Sequence, residues 1–266
     1  MNDPIDTSAV QSALSSTRFG HIRHFACIGS TSTALVEAAG TLADGTVYLA
    51  DEQIAGRGRG GHAWHSTPGD GLYLSALVRP QLKLTDALQL SLASGLAAWQ
   101  AVHEITALDL DLRWPNDLML RDSSNPQKKL GGILVETAAT ADGTLRHAVI
   151  GIGLNVHHRS FPPELRSLAT SLALHADEAL TFSRTALTIS LLQSLDSELR
   201  LLEDGSEDLQ QRFTERSTWG RGKRVHVPED GGYTGVTAGL NAHGFLQVAG
   251  DDGVLHTVRS GGVREA

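Results

Sequence analysis

Residues 56 to 71 read GRGRGGHAWHSTPGDG. Two guanidiniums, Arg57 and Arg59, flank Gly58, and the indole of Trp64 follows shortly after. A guanidinium makes forked hydrogen bonds to carboxylate or phosphate oxygens. An indole offers a flat face to a purine or an apolar ring. Glycines, here beginning with Gly56, let backbone amides approach an anion closely. Such a loop suits a ligand that carries both a carboxylate and a phosphate. A solvated Gly/Arg surface loop has the same composition, and composition alone does not separate the two. Gly56, Gly58 and Gly61 also spell G-x-G-x-x-G, but that fingerprint must open a helix and be followed about 20 residues later by an acid. Here Pro68, Gly69 and Gly71 forbid the helix, and position 81 is Gln81.

Three further segments carry polar groups at strand ends. Residues 113 to 118 read RWPNDL, where Pro115 stiffens the chain and Asn116 and Asp117 turn off a strand terminus. Residues 128 to 136 read KKLGGILVE; Lys129 enters a strand just after the polar loop DSSNPQK, and Gly131 and Gly132 permit close backbone approach. Residues 151 to 156, GIGLNV, form a strand ending in Asn155. Adjacent His157 and His158, and the His62/His65 pair, invite a metal reading. No Cys or carboxylate stands near them at ligand spacing, so solvated or strand-end histidines are the better reading and no metal site is assigned.

The elements that must position these residues alternate from Ile22 onward. Short apolar runs at 22–28, 46–51, 72–78, 108–114, 131–137 and 147–156 read as strands. Helices are expected at 31–39, with Ser30 as N-cap, and at 86–104, with Thr85 as cap and Leu88, Leu92, Leu96 and Trp99 on one stripe. A third is expected at 183–203, with Leu187, Leu191, Leu195, Leu199 and Leu202 on one face, and a shorter one at 207–218. The polar first 17 residues read as a frayed or weakly helical lead-in. After Trp219 short strand-like runs alternate with Asp230-Gly231, His243-Gly244 and Asp252-Gly253, the texture of a small antiparallel barrel. The expected organisation is a lead-in over 1–20, a catalytic-sized α+β (mixed α/β) domain over 21–220 and a β module over 221–266.

GRGRGGHAW, RWPNDL, KLGGILVE and GIGLNV, in this order and spacing, closely resemble biotin protein ligases; STSTA at 30–34 and DEQIAG at 51–56 look like that family's biotin-site segments. The resemblance runs from about residue 20 to the end. It implies a central mixed β-sheet flanked by helices, similar to class II aminoacyl-tRNA synthetase catalytic domains, plus a C-terminal SH3-like β-barrel. It implies a two-step reaction: biotin and ATP give biotinyl-5′-AMP, and the biotinyl group then passes to a lysine of a carrier domain. By resemblance Lys129 bridges the biotin carboxylate and the α-phosphate, Arg57 and Arg59 close over the ligand, and Trp64 covers adenine. Ser30, Thr31 and Gln53 match partners of biotin's ureido ring, with Gly56, Gly58 and Gly132 beside them; Ser32 stands where family members often carry Asn. Asn116, Asp117 and Asn155 match nucleotide-side or metal-side positions, which makes Lys129, Arg59 and Asp117 the catalytic set. Arg113 replaces the lysine common before WPND and receives no role. The cofactors implied are ATP with Mg2+, biotin being a substrate. The implied partner is a biotin carboxyl carrier domain of acetyl-CoA carboxylase or a related carboxylase, received by a basic patch of Arg57, Arg59, Arg121, Lys128 and Lys129. Family members often dimerise through the central sheet, and the sequence does not decide whether this one does. The rival readings are a lipoyl or octanoyl-type ligase of the same fold, a ligase-repressor that binds an operator, and a non-catalytic biotin-binding regulator.

Bulk properties agree. The 266 residues hold 41% apolar and 20% charged side chains, ordinary for a globular protein. The formal net charge of −8 disfavours DNA and anionic membranes, so an anion must be met by a local cationic patch. Of the 22 basic residues only four are lysines, at Lys83, Lys128, Lys129 and Lys223. Cys27 is the lone cysteine, and no apolar run reaches the about 18 residues of a membrane span. A cytoplasmic protein without DNA or membrane partners is the expectation.

Overall fold

The computed structural model describes residues 3–122, 125–176, 182–206, 208–229 and 231–266, without the side chains of 121, 122, 125 and 126. Seven strands form one sheet: β1 (His21–Phe25), β2 (Thr46–Ala50), β3 (Gly71–Val78), β4 (Asp111–Arg113), β5 (Asp117–Asp122), β6 (Asn125–Ala139) and β7 (Leu145–Asn155). Their spatial order is β1-β2-β3-β7-β6-β5-β4. Only β1 and β2 run parallel; every other ladder is antiparallel. The sheet is therefore mixed, as the sequence implies.

Helices α3 (Leu88–Thr106), α4 (Arg184–Glu203) and α5 (Leu209–Glu215) pack together, with α3 also lying on the strands. The two leucine stripes are what hold this layer. Leu187, Leu191, Leu195, Leu199 and Leu202 of α4 and Leu92 and Leu96 of α3 are all buried in one core cluster. The start of α3 differs from expectation. Thr85 lies in a 3-10 turn, Leu84–Asp86, and the N-cap position falls on Ala87, which makes no side-chain cap bond. The shorter α2 (Thr31–Ala38) does begin at Ser30, whose hydroxyl accepts from Thr33 N at 3.4 Å.

Two expectations are corrected. The strand expected at 131–137 begins at Asn125, inside the stretch read as a polar loop, and pairs with β5, which was not among the expected strands. The long β5–β6 hairpin gives the polar residues ladder partners that no local propensity reveals. The N-terminal stretch is not frayed. Asp6 caps α1 (Thr7–Ala13), accepting from Ala9 N at 3.0 Å, and Ile5, Val10 and Leu14 are buried in the main core. Arg18 clamps the end of this segment to α4 through Asp196 at 2.9 Å and Glu203 at 2.8 Å.

The C-terminal strands are β8 (Arg221–Val227), β9 (Tyr233–Leu240), β10 (Leu246–Gly250), β11 (Leu255–Val258) and β12 (Arg264–Glu265), in the order β11-β10-β9-β8-β12. No ladder joins β11 to β12 among the described residues, so this is an open antiparallel sheet rather than a closed barrel. Residues 259–263 leave β11 to approach the glycine hairpin instead of pairing. Trp114, buried under α3, donates its indole N–H to the Gly244 carbonyl at 2.9 Å and ties the two sheets together. No described helix is long and apolar enough to cross a membrane.

The docking of α1 yields a stability prediction. Leu14→Ala removes a fully buried side chain and is expected to lower the unfolding free energy by about 2–5 kcal/mol in urea titration. A change within about 0.5 kcal/mol, typical of surface positions, would restore the frayed reading.

Candidate functional site

The site is built on the middle of β6 and β7, where side chains are missing. Gly132 pairs with Gly153, and Gly151 pairs with Leu134 on one side and Ser75 of β3 on the other. A Cβ on Gly153 would meet the Trp64 indole at 2.7–2.9 Å, and one on Gly151 would meet Ser32 Oγ at 2.5 Å. The absence of side chains lets an aromatic ring and a hydroxyl reach backbone height. Above this floor lies a cleft of about 430 Å3, including the solvent at its mouth.

One end of the cleft is lined by neutral hydrogen-bonding groups. Thr31 offers both N–H and hydroxyl to Gln53 Oε1, at 2.9 and 3.1 Å. Ser75 joins Thr31 and Ser32 at 2.8 and 2.9 Å, and Gln53 Nε2 donates to Ser66 at 3.4 Å. The chain is preorganised, because each group is fixed by its neighbour. Ser30 sits at the start of the same helix. Ser75 is an addition: it lies within the apolar run LYLSALV, and its partners come from a helix over 40 residues away.

The other end is cationic and opens into a groove of about 1350 Å3 between the large sheet and the C-terminal strands. Lys129 Nζ lies 2.5 Å from Asp117 Oδ1 and 5.6 Å from the Trp64 ring centroid. Arg113 donates to the other oxygen, Oδ2, from Nε at 3.1 Å and from a terminal nitrogen at 2.5 Å. Burial alone would raise the pKa of Asp117, but Lys129 and then Arg113 outweigh it and hold the carboxyl below the usual range.

The glycine loop closes as a hairpin. Trp64 N–H donates to the Gly56 carbonyl at 2.9 Å, Gly58 N–H to the His62 carbonyl at 2.7 Å, and Arg57 bridges Ala63. Gly56 has no room for a side chain, since its Cβ would stand 2.7 Å from Trp64 O. Gly60 and Gly61 turn the tip with φ of +68° and +81°. Arg57 is held across the cleft mouth by Glu136, at 2.9 Å, with Thr33 at 3.3 Å. Arg59 reaches the groove and donates to the Gly261 carbonyl of the C-terminal segment. Burial lowers its pKa, with Glu229 and then Asp117 partly offsetting the effect.

Asn116 lines the cleft and is tied to β6 twice: its amide donates to Ile133 O at 3.1 Å, and its own carbonyl accepts from Ile133 N at 2.9 Å. Asn155 does not line the cleft. It is buried, and its amide donates to Thr170 O at 2.9 Å. Thr170 N in turn donates to Lys129 O, and Lys129 N to Leu168 O, so Asn155 braces the segment that holds the Lys129 backbone. Glu136 and Gly261 were missed because only the fold brings them to the arginines. The side chain of Arg121 lies outside the described residues. Among the described residues no three His, Cys, Asp or Glu side chains cluster at metal-binding distance.

His157 and His158 end β7 but are not solvated; they are 7% and 1% exposed. His157 pairs with Asp3 at 2.8 Å, and His158 stacks on Phe161 with centroids 5.2 Å apart. Burial is the main cause that pushes His158 down to about 4, with Asp70 partly opposing. Its folded pKa lies below the ordinary 6.5, so folding disfavours the protonated ring. Stability is complete above pH 6.5 and falls as pH drops toward about 4. Between pH 7 and 4 the wild type should lose up to about 3 kcal/mol more than His158→Gln in urea titrations. Parallel losses would show that the buried ring does not titrate this way.

The Biotin/lipoate A/B protein ligase family matches residues 24–155. The biotin–[acetyl-CoA-carboxylase] ligase of Mycobacterium tuberculosis is 33% identical over 225 residues, 82% of this chain and 79% of that protein. The bifunctional ligase/repressor BirA of Salmonella typhimurium is 30% identical over 253 residues, 94% of this chain and 75% of that protein. BirA of Bacillus subtilis is 37% identical over 163 residues, 60% of this chain and 48% of its own length, so this chain matches about half of that relative. The structure of the Aquifex aeolicus biotin protein ligase in complex with biotin and ATP superposes with a TM-score of 0.77 at 28% identity, covering 93% of this chain and 100% of that one. With a shared sheet, a shared C-terminal module and relatives matched over most of both lengths, the chain belongs to the biotin/lipoate A/B protein ligase family.

Proposed function

We propose that this chain is an ATP-dependent biotin ligase. In the first step a biotin carboxylate oxygen attacks the α-phosphorus of ATP; the bond to the β-phosphate oxygen breaks, giving biotinyl-5′-AMP and pyrophosphate. In the second, the neutral amine of a carrier lysine attacks the acyl carbon, AMP leaves, and the amine's proton passes to solvent. Two anions must meet in the first step, so the site has to offer preorganised positive charge.

The observation that carries this reading is the position of Lys129. It stands where a hydroxyl-lined cleft with a glycine floor meets a groove bordered by Arg59 and Arg113. Biotin's ureido ring presents one carbonyl acceptor and two N–H donors. Thr31, Ser32, Gln53 and Ser75 supply matching neutral partners, with Ser30 at the same helix start. The valerate arm then runs over Gly132 toward Lys129. An ammonium on a flexible stem follows charge from the carboxylate to the bridging oxygen. Arg57 and Arg59 bring the hairpin down on the carboxylate and phosphate, with Gly56 and Gly58 giving the backbone its freedom. Trp64 covers the adenylate, Asn116 faces the nucleotide, and Asn155 acts behind Lys129. Closure of this hairpin excludes water from a hydrolysable anhydride.

Mg2+ would enter on the ATP phosphates, where it neutralises charge, rather than through a resident protein site. Asp117, a carboxylate lining this groove, has both oxygens engaged by Lys129 and Arg113. The acyl acceptor is a biotin carboxyl carrier domain of acetyl-CoA carboxylase or a related carboxylase, received by Arg57, Arg59, Lys128 and Lys129. With a net charge of −8 the chain is proposed to bind no DNA and to act in the cytoplasm, with residues 21–220 catalytic and 221–266 an accessory module. The Mycobacterium tuberculosis ligase and the Aquifex aeolicus structure carry biotin in their names, which favours biotin over a lipoyl substrate and an enzyme over a silent binding module.

Incubation with biotin, MgATP and a carrier domain should add one biotinyl mass to the carrier. Lys129→Ala should lose about 2–4 kcal/mol of transition-state stabilisation, read as kcat/KM in biotin-dependent pyrophosphate exchange, with melting unchanged. Wild-type rates in Lys129→Ala would remove the reading's central element.

A further inference from the structure

Asp117 receives two cations from opposite sides, one per oxygen, and they are held very differently. Lys129 makes one contact to the carboxylate, at 2.5 Å, from a flexible stem, and its ammonium lies 5.6 Å from the ring centroid of Trp64, a residue of the hairpin. Arg113 makes two contacts to Oδ2, and its guanidinium lies 5.4 Å from the ring centroid of Trp219. Trp219 is itself buried and anchored, donating its indole N–H to Gln127 at 2.9 Å. The other cation on that ring, Lys223, is paired with Glu265 at 2.5 Å. Arg113 is therefore the more firmly held of the two, by a second contact to the carboxylate and a buried, anchored ring, and Lys129 is the member that leaves more readily.

We propose that Arg113 is a positioning residue that keeps Lys129 available, by neutralising Asp117 from the far side. The inference rests on Lys129 serving as the cation that follows the reacting anions. A half-buried carboxylate with one counter-ion holds that counter-ion tightly, because its loss strands a charge. With Arg113 fixed on Oδ2, Lys129 faces a nearly neutral pair and moves to a carboxylate or phosphate at little cost. Without Arg113, Asp117 would retain Lys129 at the moment the transition state needs it.

Arg113 and Asp117 also face each other in the β4–β5 ladder, so a merely structural staple is the competing account. Biotin-dependent ATP–pyrophosphate exchange on the full chain, with melting curves alongside, separates the two. Arg113→Gln should lower kcat ten-fold or more while KM for biotin changes less than three-fold, since the deficit falls on the step where Lys129 must move. Arg113→Lys should keep at least a third of wild-type kcat, because it restores the charge. A staple predicts otherwise: an ammonium neither forks on one oxygen nor lies flat over an indole, so Arg113→Lys would fall with Arg113→Gln in both melting temperature and kcat. Wild-type kcat in Arg113→Gln, or equal impairment in both variants, overturns the inference. If Arg113→Gln melts below the assay temperature, Arg113→Met is used and the same two outcomes decide. A wild-type chain with no exchange at all would instead sink the ligase reading, and this inference with it.

Discussion

The site depends on a constraint that is mainly an absence: at Gly132, Gly151 and Gly153 the centre of the β6–β7 ladder carries no side chain. Gly132 and Gly153 face each other across it, and Gly151 lies two residues further along β7. Any Cβ at 151 or 153 would overlap Ser32 or Trp64 by more than neighbouring atoms tolerate. Trp64 can therefore rest on the backbone itself, and its position fixes the end of the hairpin that carries Arg57 and Arg59. Ser32 likewise reaches Ser75 across the floor rather than from above it. A ladder of ordinary β-branched residues would be a more favourable strand but would leave no cleft.

Charge is then distributed along that floor. The neutral hydroxyl and amide chain occupies one end, and the cations gather at the other. In a chain with a net charge of −8 this separation is local, built from loops rather than from bulk composition. Each cation is also given a protein partner: Arg57 has Glu136, Arg59 has the Gly261 carbonyl, and Lys129 has Asp117. Such pairing reduces the repulsion that would otherwise build up among side chains converging on one groove.

How much of this was legible in the sequence follows from the range of each interaction. The leucine stripes of α3 and α4 were readable because burial repeats every turn along one element. The hairpin's chemistry was readable because Arg57, Arg59 and Trp64 are close in sequence. The β5 strand was not, since Asn116 and Asp117 read locally as a turn and Asp117–Asp122 acquires its conformation from a ladder with β6. A weak helix was one of the two readings of the α1 stretch; its docking was not legible, because Ile5, Val10 and Leu14 are the few large apolar residues in a polar stretch and their value lies in the core they join. Asn155 was legible as an amide at a strand end; that it braces Thr170 behind Lys129 depends on a loop contact no motif encodes.

The C-terminal sheet is tied to the site by three contacts of different kinds. Trp114, next to Arg113, donates to Gly244 at 2.9 Å; Arg113 lies over Trp219 at the base of β8; and Arg59 reaches Gly261 between β11 and β12. The first is buried and fixes the module against α3. The second connects the module's first strand to the carboxylate that holds Lys129. The third engages the hairpin that carries Arg57 and Arg59. Two of these contacts lie between the sheets, and the third joins Gly261 of the C-terminal segment to Arg59 of the hairpin. The open edge of the five-stranded sheet has a physical role in this arrangement: residues 259–263 are free to meet the hairpin because no ladder holds them to β11.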